Sequence, residues 1–497
     1  MKNSLIVAAL VFAACFLSRL LFVNSNVFFF DGDEAIVALM GLDILDGELP
    51  LFFYGQNYGL SILEALLISL GVLVFGTSML AIKIPMLVLW SLSVSLMALS
   101  VFKLLKENKL ATTIFVLVMV LSPTWLVWSM KARGGYLTSF FFTSLITYVL
   151  VKNKGGLGLI NWLMVGVSLV VVYESQPIWL PCLAPLVAYF IWLEKGAVIQ
   201  KAKSVAAVVV GAGVPFAVFT YIKSTIEVAY AKPALNISKR LTLIGDIPEL
   251  LLKNLGGNYF LSTTYEPSNE SYATIFLGVF LVALVYIIFR AVQSKSISHS
   301  LVFLVASLFS FSGFLVKSEP RYLLPFFGFA LFTVVLVYRE IENEKVRKGI
   351  LGVSVLLCFM GLAALPNFSK YSFVNMSLIE VDSQIKNDEA VMDKLLRKFK
   401  AEGVKYVFTT NEFLQYQLNF MSNRELLVVG RKDRCRTPEN VDAIMAAYPS
   451  KASEFAVIGY NFRYGYTGKI PLVDNKIFYI IRPNKVTLEQ VGFFKEP

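Results

Sequence analysis

The chain has 497 residues, of which 57% are hydrophobic and 16% charged, with a mean hydropathy of +0.67. Soluble domains carry about 25% charged residues, so most of this chain is read as solvated by lipid. The net charge of +11 does not mark a nucleic-acid binder, because its Lys and Arg fall in short clusters between apolar runs, which is a topology signal. Four separated cysteines, Cys15, Cys182, Cys358 and Cys435, form neither a disulfide framework nor a Cys/His metal cluster. With His299 as the single histidine, a histidine-dependent triad is disfavoured, and acid–base work falls to carboxylates, Tyr or Lys.

The first apolar run, 4–23, is long, lacks an Ala-x-Ala cleavage pattern and precedes many others, so it reads as a retained signal anchor. Next comes the stretch 28–60, FFFDGDEAIVALMGLDILDGELPLFFYGQNYGL. Between Arg19 and Lys83 there is no basic residue, although Asp31, Asp33, Glu34, Asp43, Asp46, Glu48 and Glu64 fall there. A loop without Lys or Arg reads as extracytoplasmic. Within it, DEAIVALMGLDILDG predicts an amphipathic helix on the outer surface, apolar at Ala35, Val37, Leu39, Leu42 and Leu45 and ended by Gly47.

The run 61–75 is short for a span and contains Glu64. Placed at the interface, it leaves spans near 84–102, 110–129, 136–151, 157–173, 177–193, 204–222, 272–290, 300–316, 322–338 and 349–365. Every basic cluster then becomes cytoplasmic, and the reading gives about eleven spans. The outer loops are the acidic one (24–83), Lys131-Ala-Arg133-Gly-Gly-Tyr136, Tyr173-Glu174-Ser-Gln-Pro177, a polar segment at 223–271 and Lys317-Ser-Glu-Pro-Arg321-Tyr322. After Pro366 the composition changes: 367–497 alternates a charged helical stretch, DEAVMDKLLRKFKAEG, with strand-like runs KYVFTT, ELLVVG, EFAVIGY and KIFYIIR. The expected organisation is thus a mainly α, polytopic membrane domain (1–366) followed by an extracytoplasmic α/β or α+β domain (367–497).

Carboxylates at the edge of a hydrocarbon layer pay a desolvation cost and usually face a wet cavity, which makes Asp31, Asp33 and Glu34 candidate general bases. The same residues also suit a helix N-terminus, with Asp31 capping and the next two free. On the same face stand Lys83, Lys131, Arg133, Lys317 and Arg321, a cationic set suited to a phosphate whose hydrophobic tail stays in lipid. A carboxylate that deprotonates an acceptor hydroxyl while cations stabilise a departing phosphate implies sugar transfer from a lipid phosphate. Glu174 is a further candidate contact, and a divalent ion held by Asp31, Asp33 and Glu174 is a possible cofactor. Tyr54, Tyr58 and Tyr136 suit either an interfacial aromatic belt or stacking on sugar rings. Gly134 and Gly135 do not form a nucleotide-type phosphate loop.

The order of DGDEA, DGELPLFFYGQNYG, AIKIP, KARGGY and EPRYLLP resembles the GT-C superfamily of integral-membrane glycosyltransferases, nearest to bacterial relatives of dolichyl-phosphate-mannose protein mannosyltransferases and lipid A aminoarabinose transferases. The resemblance implies that Asp33 is the base, with Glu34 beside it. It also implies that Lys83 occupies a basic position before a proline, and that Arg321 and Tyr322 match a late Arg-Tyr. Gln56-Asn57-Tyr58 stands where many members carry Lys-Pro-Pro, which makes Gln56 and Tyr58 candidate substrate contacts. A polyprenyl-phosphate sugar donor, inversion at the anomeric carbon, a lipid, glycan or protein acceptor, and an inner-membrane location are implied in the same way. Two other classes are open: a flippase for a lipid-linked saccharide, and a non-catalytic scaffold of an envelope-polysaccharide machine.

Overall fold

The computed structural model of the chain describes residues 2–23, 30–126, 128–153, 156–195, 198–226, 238, 241–257, 269–294, 296–368, 388–410, 414–430, 435–460, 470–473, 477–490 and 493. The first part is helical throughout: α1 (Lys2–Val23), α2 (Gly32–Leu45), α3 (Ile62–Phe75), α4 (Met79–Leu104), α5 (Lys109–Leu121), α6 (Pro123–Leu126), α7 (Tyr136–Lys152), α8 (Leu159–Ser175), α9 (Leu180–Trp192) and α10 (Val198–Thr225). There follow α11 (Ile247–Leu255), α12 (Glu270–Ser294), α13 (His299–Phe309), α14 (Gly313–Val316), α15 (Leu324–Glu340) and α16 (Glu344–Phe368). The expected spans map onto these helices within a few residues.

Among the described residues, seven helices are long and apolar enough to cross a membrane, and α5 with α6, bent by 63°, makes an eighth if the pair is one span. The expected count of about eleven requires the shorter α7, α8 and α9 to cross as well. Large apolar side chains that no protein covers line α10 (Val209, Val214), α12 (Val282, Val285) and α16 (Phe359), as lipid-facing helices require. The bundle packs closely where side chains are missing. A Cβ on Gly166 of α8 would stand 2.3 Å from the Val208 carbonyl oxygen, and one on Gly211 of α10 would stand 2.3 Å from that of Leu163.

The helix ends are polarised. Arg339 at the end of α15 donates to the Leu104 carbonyl at 2.8 Å, and Tyr286 donates to that of Glu340 at 3.1 Å. Ser300 donates to the Glu340 carboxylate at 2.6 Å, while His299 lies against Tyr189 at 5.5 Å between ring centres. These contacts bring ends of five helices, α4, α9, α12, α13 and α15, to one side of the bundle. Lys83 and Lys103 stand at opposite ends of α4, about 30 Å apart along a helix rising ~1.5 Å per residue.

Beyond residue 387 come α17 (Asp388–Ala401), β1 (Tyr406–Thr409), α18 (Leu414–Met421), β2 (Leu427–Val429), α19 (Pro438–Lys451), β3 (Phe455–Tyr460), β4 (Ile470–Val473), β5 (Ile477–Ile481) and α20 (Lys485–Gln490). The sheet order is β2-β1-β3-β5-β4, with β1 parallel to both neighbours and β5 antiparallel to both of its own. Four strands sit where alternation placed them. The fifth, Ile470–Val473, contains Pro471 and forms the edge, where a missing amide hydrogen is tolerated.

One element departs from expectation. α2 spans the anticipated residues and Gly47 follows it with φ +91°, but it does not lie on a surface: Glu34 and Asp43 are buried together with residues 35–42, and Leu45 at its end is exposed. The helix is enclosed because α3 packs against one side and α18 of the C-terminal domain against another.

Candidate active site

Asp31 is the N-cap of α2. Its carboxylate accepts from the Glu34 amide at 3.0 Å, and its own amide donates to Glu34 Oε2 at 3.1 Å, a capping box. Glu34 is therefore not free, as the sequence reading had it. Its Oε1 accepts from Lys83 Nζ at 2.5 Å and its Oε2 from Lys131 Nζ at 3.2 Å. Lys131 also reaches Asp31 at 2.8 Å, while Arg133 lies 3.3 Å from Asp31 and 2.8 Å from Asp33. Burial alone would push the Asp31 carboxyl up, but Lys131 and Arg133 more than offset it and hold it well below the usual carboxylate range. Three carboxylates and three cations thus form a charge-balanced cluster, which suits a buried ion network.

Within that cluster the carboxylates differ. The Asp31 and Glu34 side chains are 3% and 0% exposed, whereas that of Asp33 is 16% exposed. Asp33 alone among them is partly exposed, and it lies within electrostatic reach of Arg321 and Tyr58.

The second half of the site comes from the turn before α15. Arg321 pairs with Glu319 at 2.7 Å and lies over the Tyr322 ring at 5.4 Å, and Lys317 also pairs with Glu319. Two cations thus share one carboxylate, and Arg321 Nε is buried without a hydrogen-bond partner among the described residues. An orphaned buried donor in a native site marks a place where a ligand oxygen can be accepted. Tyr136 packs against Trp128 with ring centres 4.5 Å apart and planes tilted by 39°, and it lies within electrostatic reach of Tyr322, Arg321 and Arg133.

Sequence reasoning passed over the residues that align the loops. Glu64, noted only as an odd charge in an apolar run, accepts from the Thr138 amide at 3.2 Å and the Gly135 amide at 3.4 Å, capping α7 from outside. Gly135 has φ +85°, and a Cβ there would stand 2.6 Å from the Leu60 carbonyl oxygen, so the turn carrying Lys131 and Arg133 accepts only glycine at that point. Arg19, fully buried in α1, donates to Ser129 at 3.2 Å and lies over Trp90 at 5.0 Å, just beneath Lys131. Asn254 of α11, inside the long polar segment, donates to the Pro320 carbonyl at 2.8 Å beside Arg321. Residues 227–237 and 258–268 of that segment lie outside the described residues.

Glu174 stands apart from the other candidate carboxylates. It pairs with Lys223 of α10, and its carbonyl accepts from the Gly59 and Leu60 amides at 3.1 and 2.9 Å, so its place is under the loop rather than beside Asp33. The carboxylates considered for a divalent ion are therefore not gathered, and among the described residues no group of three His, Cys, Asp or Glu suited to a metal occurs. Gln56 is buried in the same loop, its amide bonded to the Phe53 carbonyl at 3.0 Å. Tyr58 is half-buried; burial raises its hydroxyl, Arg436 opposes this, and Tyr322 and Asp33 add to it. An open apolar groove of about 450 Å³ runs between α8, α9 and α10, from Ile191 to Tyr173 beside the Glu174–Lys223 pair.

No family model matches the chain, and no curated protein matches its sequence. Among solved structures, ArnT from Cupriavidus metallidurans bound to undecaprenyl phosphate superposes with a TM-score of 0.56 at 11% identity, over 97% of this chain and 98% of that one. The chain has the fold of ArnT. The apo state of the same protein gives a TM-score of 0.46 at 13% identity, over 96% of this chain and 97% of that one. The architecture expected from the sequence, a helical bundle followed by a small sheet-containing region, is the observed one, and the likeness to the ArnT fold extends over both.

Proposed function

We propose that the chain is a membrane glycosyltransferase that moves a sugar from a polyprenyl-phosphate donor to an acceptor hydroxyl on the outer face of the cytoplasmic membrane. The observation that carries this reading is the contrast within the acidic cluster: Asp31 and Glu34 are buried and spent on capping α2, while Asp33 stays partly open, paired with Arg133 and within electrostatic reach of Arg321. The fold of ArnT, a protein solved with undecaprenyl phosphate bound, supports the choice of donor class.

Asp33 takes the proton of the acceptor hydroxyl as its oxygen attacks the anomeric carbon, and the bond from that carbon to the phosphate oxygen breaks with its electron pair. One displacement by one oxygen inverts the centre. The departing phosphate gains charge as the bond breaks, and the cations that outnumber their partner, Arg321 and Lys317 over Glu319, stabilise it. Lys83, Lys131 and Arg133 already face carboxylates, so they act on the phosphate chiefly by holding Asp31, Asp33 and Glu34 in place. Tyr58, Tyr136 and Tyr322 line the side on which a sugar ring would stack. The apolar groove ending at Tyr173 offers a path for the isoprenoid tail.

The test is transfer from radiolabelled polyprenyl-phosphate sugars in membranes, comparing the native chain with Asp33→Asn at matched expression. Asn keeps the size and removes the base, so transfer is expected to fall by about 10²–10⁴-fold with donor binding retained. Equal transfer by both chains removes Asp33 as the base.

A further inference from the structure

The C-terminal domain grips both ends of α2. At the N-terminal end, Gln417 of α18 donates through Nε2 to the Phe30 carbonyl at 2.6 Å, one residue before Asp31. Phe420 of the same helix meets the Phe30 ring edge-on at 5.8 Å. At the C-terminal end, Arg424 forks across the last turn: one nitrogen lies 2.8 Å from Asp46 Oδ2, and the other pairs with Asp43 and donates to the Leu39 carbonyl at 3.1 Å. Tyr54 of the outer loop donates its hydroxyl to the other oxygen of Asp43. Arg424 adopts φ +61° in the turn that brings it there.

Helix C-termini attract cations, and a bidentate guanidinium fixes direction as well as distance. α2 has no basic residue of its own in its last turn, so the counter-charge for Asp43 and Asp46 comes from residue 424, outside the membrane bundle. A rod held at both ends has little freedom to slide or rotate, and the carboxylates of Asp31, Asp33 and Glu34 all project from its first turn.

We propose that the C-terminal domain is a brace that sets the register of α2, with Arg424 and Gln417 as positioning residues for Asp33. The catalytic consequence rests on the reading of Asp33 as the base; the placement of position 33 does not. Both are measured on the full-length chain in membranes, in a Cys435→Ser background.

Arg424→Glu places a like charge against Asp43 and Asp46. Asp43→Asn, nearly unchanged in shape, replaces it if that variant fails to accumulate. The first reading is the rate at which a membrane-impermeant thiol reagent labels an introduced Asp33→Cys; it is expected to change severalfold in the Arg424→Glu chain and to return with the swap Arg424→Glu/Asp43→Arg. The second is sugar transfer with Asp33 intact, expected to fall between about tenfold and a hundredfold at saturating substrates, the cost of an ångström-scale misplacement, with donor KM little changed. Labelling and transfer that both change and are both rescued by the swap support the brace and the base. Changed labelling with unchanged transfer supports the brace and overturns the base. Unchanged labelling overturns the brace.

Discussion

Asp31 shows how one side chain serves the local backbone and a long-range network together. It caps α2, and it answers Lys131 and Arg133, which are a hundred residues away in sequence. Because its folded acidity lies below the usual range, its stabilising contribution is fully present above the unfolded value of about 3.9 and is lost only as pH falls through the lower folded value. Asp31→Asn keeps the cap but leaves Lys83, Lys131 and Arg133 buried against two carboxylates, Glu34 and Asp33, so one positive charge is uncompensated. It should cost about 3 kcal/mol, the scale for removing one partner of a buried pair. The gap in unfolding temperature between native and Asp31→Asn protein in detergent is expected to stay constant from pH 5 to 8 and to narrow below about pH 4. A gap that varies between pH 5 and 8 would assign the effect to another group.

At the scale of elements, the crossing of α8 and α10 is set by two glycines, and the Glu174–Lys223 pair ties the two helices at one end. Gly166→Ala forces the helices apart and is expected to cost about 1–3 kcal/mol, read as a lower unfolding temperature in detergent. Gly213→Ala on the same α10 meets nothing within 4 Å and serves as the neutral control. Local pattern made most elements legible: apolar runs became helices, alternation became β1, β2, β3 and β5, and Asp31 became the N-cap of α2, although the reciprocal bond to Glu34 was not read. The surroundings of α2 were not legible. Its sequence carries acids on one side as a surface helix would, yet that side is covered by Arg424 and Tyr54, partners whose spacing along the chain leaves no periodic trace. Asn269 is likewise committed: it accepts from the Tyr272 amide in the first turn of α12 and donates to the Met360 carbonyl at 2.9 Å.

For the whole molecule, the clustering of basic helix ends opposite the carboxylate cluster makes a topology prediction. In intact cells an impermeant thiol reagent is expected to label an exposed Glu48→Cys and to spare an exposed Lys106→Cys; the reverse pattern would invert the orientation derived from the basic loops. The class of this protein was determined by its sequence alone, because hydrocarbon solvation demands long apolar runs and charge is expelled to their ends, and both are one-dimensional properties. The same scarcity of charge singled out Asp31, Asp33 and Glu34 before any coordinates. Only the tertiary structure decided which of the three stays open, which cations are already neutralised, and that a helix 387 residues downstream holds the residue before the N-cap of α2. Exposure and pairing depend on which surfaces meet, and contacts between Phe30 and Gln417 or Asp43 and Arg424 arise only when the two domains pack.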